Sequence, residues 1–351
     1  MTSGFKTSIL SRQIAAGWLT LACAAVVPAC AVASDDEAAG PAAGDTATAS
    51  AALSAPGSEP SDAEFVVTPV GRFHRSCVHG VGLGATIHAG DQVTLRNGSV
   101  QSFAPCGFQP RDTRKSRLAA QPASQAGSGR VPVADGWAEY DSAFMPTNGY
   151  GYDWANALYG SWTVPLAPRQ YTSQTVFLFT SGEPSDGSAI IQPVLQYGPS
   201  AAGGGNFWSE AVWYISSSNN VFFGTLQRVN VGDTINGYMT AHDCSSGGVC
   251  TWDLEVWDGN VGSVMNLATG ETFRWMTKGV LEVYGISNCN KLPTEGDTGA
   301  TFYNVHAYMP GPSTTDFNDV TTSMGWTGSV FAEGCSFGVI DTSDGVQLFW
   351  D

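Results

Sequence analysis

The 351-residue chain holds 31 acidic against 15 basic residues, a formal net charge of −16, with only 13% of its residues charged. A surface of that sign repels phosphate backbones and anionic lipid, so nucleic acid is excluded as an expected partner. The 42 glycines, 18 prolines and 11% aromatics, with no capped apolar stripe of helical period beyond the N-terminus, point to an all-β chain rich in turns.

In chain order, Lys6 and Arg12 precede an uncharged run from Ile14 that ends in Ala31-Val32-Ala33 before Ser34-Asp35-Asp36. This is the layout of a secretory signal over residues 1–33, cleaved after Ala33. Two alternatives stay open: a retained anchor over Ile14–Ala33, and a lipid-modified Cys30 that would make the protein a cell-surface lipoprotein. With the signal removed, no membrane span is expected. Residues 34–64 are rich in Ala, Gly, Ser, Pro and Asp, too poor in apolar surface to offset ordering entropy, and read as a disordered linker. Residues 65–112 form a small unit of short strands, with Arg96-Asn97-Gly98-Ser99 as a hairpin turn. Residues 113–134 are a second linker, and 135–351 the main domain.

Export makes disulfides the natural reading of the cysteines. Outside the signal remain Cys77, Cys106, Cys244, Cys250, Cys289 and Cys335, an even number. Cys77–Cys106 and Cys244–Cys250 are the local pairings, which leaves Cys289 for Cys335. A zinc site lacks its spacing motifs, and no metal or cofactor is expected. Charge divides the chain. Residues 131–351 hold 22 acidic against 5 basic residues, net −17, whereas 65–130 hold 8 basic against 2 acidic, net +6. The asymmetry suggests a basic pro-segment lying on an acidic groove, or else an accessory module.

From Asp135 onward strand-like runs recur between Gly, Asn, Asp and Ser clusters: GSWTVPL, TVFLFT, AIIQPVLQYG, FWSEAVWYIS, VFFGTL, TINGYMTAHD, CTWDLEVWD, FRWMT, VLEVYGIS, TFYNVHAY and VQLFW. They predict an antiparallel β-sandwich. The two-residue period gives Gln192 and Gln196 one face, and Glu282 and Tyr284 one face of theirs. Polar strand faces suggest a groove, in which a carboxylate and a primary amide can meet over a substrate. Trp208, Glu210 and Tyr214 share a face and are candidate groove-wall residues. Asp253, Glu255 and Trp257 share another, read as an ordinary outward face. Gly334-Cys335-Ser336-Phe337-Gly338 fits the nucleophile-elbow pattern, but the last histidine is His306, upstream of it, so a serine hydrolase is not favoured.

From Trp137 to its end the chain resembles the eqolisin family of secreted glutamic peptidases, in a bacterial branch of such proteins. The matching segments run in order: GWAEY around Trp137, GSWTVP ending at Pro165, VLQYG, FWSEAVWYI, VNVGDTINGYM from Val229, NLATGE from Asn266, and GVLEVYG. The resemblance implies a concanavalin-like sandwich of two curved antiparallel sheets, preceded here by the disulfide-stapled N-terminal β unit. It also implies a secreted, metal-independent acid endopeptidase acting on proteins or peptides; a monomer is expected. Gln196 takes the role of the catalytic glutamine, stabilising the oxyanion, and Glu282 that of the catalytic glutamate, acting as general base and then acid. Phe179 and Glu183 approximate the family's substrate-side aromatic and acid. The family's glutamate strand carries acids four apart; matching Glu282 to the first of them leaves Ile286 at the catalytic position, whereas matching it to the second makes Glu282 the catalyst, the assignment taken. The alternatives from other classes are a non-catalytic glycan- or peptide-binding module and, with less support, a glycoside hydrolase using paired carboxylates.

Overall fold

The computed structural model describes residues 61–111, 134–294 and 299–351. The expected signal segment, Cys30 and nearly all of both linkers lie outside the described residues. Among the described residues no helix is long and apolar enough to cross a membrane.

Six short strands come first: β1 (Phe65–Thr68), β2 (Gly71–His74), β3 (Val78–Gly80), β4 (Thr86–His88), β5 (Gln92–Thr94) and β6 (Val100–Ser102). Then follow β7 (Ala134–Phe144), β8 (Ala157–Thr163), β9 (Thr175–Glu183), β10 (Ile190–Ser200), β11 (Gly203–Ile215), β12 (Val221–Phe223), β13 (Gln227–Arg228) and β14 (Thr234–His242). The last are β15 (Thr251–Trp257), β16 (Gly262–Ala268), β17 (Trp275–Ile286), β18 (Ala300–Met309), β19 (Asn318–Asp319), β20 (Thr327–Val330), β21 (Gly338–Thr342) and β22 (Gly345–Phe349). The runs FRWMT and VLEVYGIS merge into the single long β17, and β7 and β16 are strands that alternation did not single out. The Asn97-Gly98 hairpin is present, with Thr94 opposite Val100 and Gly98 at φ 82°.

These strands build a β-sandwich. The front sheet runs β20-β7-β17-β9-β10-β11-β12-β3 with β13 beside β11. The back sheet runs β21-β22-β18-β8-β14-β15-β16-β4-β5-β6 with β19 beside β18. Pairing is antiparallel except where the N-terminal unit joins: β3 lies parallel to β12 in the front sheet and β4 parallel to β16 in the back. Residues 65–111 thus extend both sheets, and they belong to the same compact unit as the sandwich.

The back sheet shows the alternation of a sheet with one open face, β14 to β16 burying every second residue. Its inward residues Ile235, Met239, Leu254, Val256 and Met265 pack against Leu178, Leu195 and Leu281 of the front sheet. The front sheet differs. All nine residues of β9 are buried, as are most of β10 and β17. Their outward side chains, with those of β7 and β11, form a second apolar cluster that includes Trp137, Tyr140, Phe177, Phe179, Trp213 and Trp275. Segments such as TVFLFT are apolar in both parities, which is the signature of a strand covered on both sides.

Three disulfides join Cys77–Cys106, Cys244–Cys250 and Cys289–Cys335. The first closes a 29-residue separation around β3 to β6, strands too short to hold one another alone. Replacing Cys77 and Cys106 together by serine is expected to cost about 2–4 kcal/mol, read as a lower midpoint in thermal unfolding monitored by near-UV circular dichroism.

Candidate active site

Strand register brings the two principal residues into one row. Gln196 of β10 and Glu282 of β17 each stand directly opposite Phe177, on either side of β9. Residues paired across antiparallel strands point to the same face, so both side chains lie on the outward face of the front sheet, their Cα atoms two strand spacings or about 9–10 Å apart. The row continues to Trp137 of β7 beside Glu282, and to Ser209 of β11 beside Gln196. Gln192, Phe179 and Tyr284 share this face, as does Glu183, paired with Trp275 at the far end of β9.

Sequence reasoning foresaw an open polar groove, and the structure corrects this: Gln192, Gln196 and Glu282 are all 0% exposed. The hairpin β1–β2 accounts for part of the cover. Phe73 is buried within the outward cluster, and Val67 and Val70 pack against it. The Val67 carbonyl accepts the Ala201 N–H at 2.8 Å, which ties the hairpin to the β10–β11 turn. At the Glu282 end, Arg72 lies 5.8 Å from the Tyr284 ring centroid and bonds Asp135 at 3.2 Å. Asp135 in turn accepts the Gly285 N–H at 2.8 Å. The hairpin therefore touches both ends of the Gln196–Glu282 row.

The two polar side chains are held differently. Tyr284, two residues along the same face, donates its hydroxyl to Oε1 of Glu282 and so orients the carboxyl group. The Gln196 amide is turned into the β10–β11 turn. Its Nε2 donates to the carbonyls of Gly198 (2.7 Å) and Gly203 (2.9 Å), and its Oε1 accepts from Ser200 Oγ at 2.8 Å. Glycine is required here: Gly204 has φ 100°, and a Cβ on it would collide with Nε2 of Gln196. The Gln192 amide has neither Nε2 nor Oε1 hydrogen-bonded among the described residues.

Three expected groove-wall residues lie on the wrong face. Trp208, Glu210 and Tyr214 point into the inter-sheet core, because Ser209 is the β11 residue opposite Gln196 and Glu210 stands opposite Leu195. FWSEAVWYIS is apolar in both parities, so periodicity alone does not choose its face, and the pairing register does. The outward β11 residues are Ser209, Ala211 and Trp213, none of which periodicity singled out. Phe177 was also missed, although its alternation with Phe179 in TVFLFT carried the signal. Ser336 has no elbow: it sits at φ 46° just before β21, beside a disulfide-bonded Cys335, and no helix follows it. Among the described residues no group of three His, Cys, Asp or Glu side chains is arranged to hold a metal ion.

No protein-family model and no curated protein matches the chain. Among solved structures it is similar to SCP-B, a member of the eqolisin family of peptidases in a complex with the tripeptide Ala-Ile-His, at 10% identity and a TM-score of 0.41, covering 62% of this chain and 98% of that one. It is also similar to the CBM2 module of the evolved Dit of Lactobacillus casei BL23 phage J-1, at 14% identity and a TM-score of 0.29, covering 48% and 74%.

Buried acids surround the site on the inward side of the same strands. Burial pushes Glu139 of β7 up to about 9. Burial, then the charges of Asp258 and Asp233, pushes Glu210 up to about 8. Asp141 rises to about 7, by burial first and then by the Asp341 carboxylate, against the pull of Lys278. Each folded-state value lies above that of the unfolded chain, so the folded state binds the extra protons. The stability they contribute is complete below about pH 4, falls progressively as pH rises above it, and is gone once pH has passed the folded values of about 7 to 9. The thermal midpoint is therefore expected to be highest in acid and to fall across that window, and Glu210→Gln, neutral at every pH, is expected to flatten the fall.

Proposed function

We propose that the chain is an acid-acting peptidase that uses Glu282 and Gln196 as a glutamate–glutamine pair. The observation that carries this reading is the shared row, in which carboxyl and amide flank Phe177 on one face of the front sheet. The sequence resemblance gives these two residues the catalytic roles. Glu282, oriented by Tyr284, takes a proton from water as the water attacks the scissile carbonyl, and returns it to the leaving amine. Gln196 stabilises the tetrahedral oxyanion through its amide N–H groups. That role requires its side chain to swing away from the Gly198 and Gly203 carbonyls toward β9. It also requires the β1–β2 hairpin to lift, so the hairpin is the part of the basic N-terminal unit that acts as a cover.

A second reading, a non-catalytic sandwich module, is favoured by the Gln196 amide itself, whose hydrogens are both engaged by backbone carbonyls. In that case Gln196 is a staple of the β10–β11 turn and Glu282 a hydrogen-bonded core acid.

Cleavage of a denatured protein across acid to neutral pH separates the two. The peptidase reading expects turnover in acid, lowered at least about a hundredfold by Glu282→Gln and by Gln196→Ala. Phe73→Asp, which drives a charge into the hairpin contact, is expected to raise turnover. No cleavage by either the native chain or the Phe73→Asp variant, with Gln196→Ala lowering only the unfolding midpoint, would establish the second reading.

A further inference from the structure

We infer that the outward face of the back sheet is a binding platform for a polysaccharide built of amino sugars with free ammonium groups. It lies on the opposite side of the sandwich from Gln196 and Glu282 and does not depend on what they do. Strands β18, β8, β14, β15 and β16 are consecutive in the sheet, a width of about 19 Å across four strand spacings. Register aligns their outward residues in rows: His306, Tyr159, Tyr238, Glu255 and Val264 form one, and Tyr308, Ala157, Thr240, Asp253 and Asn266 the next.

Three tyrosine rings make an unbroken strip over the first three strands. Tyr308 and Tyr159 have centroids 5.3 Å apart, and Tyr159 and Tyr238 5.4 Å. Beyond the strip stand the carboxylates of Asp253 and Glu255, with Trp257 next along the same strand face and 42% exposed. Asp253 is oriented by Asn266, whose Nδ2 donates to it at 2.7 Å. The order is thus aromatic strip, then acids, then a further exposed indole.

Two features select the occupant. The first is charge: these five strands contain no lysine or arginine. Their two outward histidines already face acids, His306 with Asp319 at 2.9 Å and His242 with Asp243 at 2.8 Å and Asp253 at 3.5 Å. Together with the net charge of −16, this disfavours acidic polysaccharides and favours a cationic partner. The second is shape. None of the five is an edge strand, since β22 pairs with β18 and β4 with β16, so an extended basic peptide finds no free backbone to join. A sugar ring needs none: its C–H face rests on tyrosine and tryptophan, while its ammonium takes a carboxylate and the face of a ring.

The test is equilibrium binding of the intact chain, carrying Glu282→Gln to silence any front-sheet cleavage, to a glucosamine oligomer, its N-acetylated counterpart and poly-lysine in mildly acidic buffer. The glucosamine oligomer is expected to bind. Tyr159→Ala or Tyr238→Ala is expected to weaken binding at least about tenfold, or about 1.4 kcal/mol. The conservative pair Asp253→Asn with Glu255→Gln is expected to weaken the glucosamine oligomer and leave the weaker N-acetylated one unchanged. Absence of binding to the glucosamine oligomer overturns the inference. So does tighter binding of the N-acetylated form, or binding of poly-lysine that matches the oligomer and survives loss of the tyrosines.

Discussion

The central strands of the front sheet are apolar on both faces, and a sheet of that kind needs two covers. Leu178, Leu195 and Leu281 meet the back sheet, while Phe177, Phe179 and Trp213 require burial on the other side. The β1–β2 hairpin answers part of that requirement with Phe73, Val67 and Val70. Burial of Gln196 and Glu282 follows from this demand, because polar residues placed in an apolar row are enclosed with their neighbours. Enclosed polar groups are costly unless they are hydrogen-bonded nearby. Glu282 finds Tyr284, and Gln196 finds the carbonyls of a glycine-rich turn.

The same enclosure sets the electrostatics. Glu139 and Glu210 sit at the two ends of one inward row through Leu281, Leu178 and Leu195, where a carboxylate is costly and a carboxylic acid is tolerated. A strongly acidic chain gains twice at low pH, as surface repulsion falls and buried acids take their protons. The fold and an acid working range are therefore consistent with each other whether or not Glu282 performs chemistry.

Much of this was legible in the residues. Strand runs bounded by turn residues gave most of the sandwich, Asn97-Gly98 gave its hairpin, and the six cysteines paired as two short spacings and elimination suggested. Period two put Gln192 with Gln196 and Glu282 with Tyr284, and the structure keeps both pairs together. The face of β11 was not legible, since Trp208 and Trp213 are one strand parity apart and equally apolar. Neither was the state of Gln196, whose partners depend on a turn that folds back only because Gly198 and Gly204 adopt left-handed φ values. The cover was hidden for another reason: FVV and GRF are too short to announce which distant surface they fit.

The two parallel pairings carry a consequence for how the molecule assembles. Val78–Gly80 can pair only when Val221–Phe223 exists, and Thr86–His88, which pairs locally with Gln92–Thr94, can join the back sheet only when Asn266–Ala268 does. Because a chain emerges from its N-terminus, these early strands, beyond their local β1–β2 and β4–β5–β6 pairings, are the last able to dock, and they must wait while both sheets form. Such distant contacts close slowly and leave strand edges exposed meanwhile. The Cys77–Cys106 bond spans only its own local loop, so it can form during that wait and keep the early strands from pairing elsewhere.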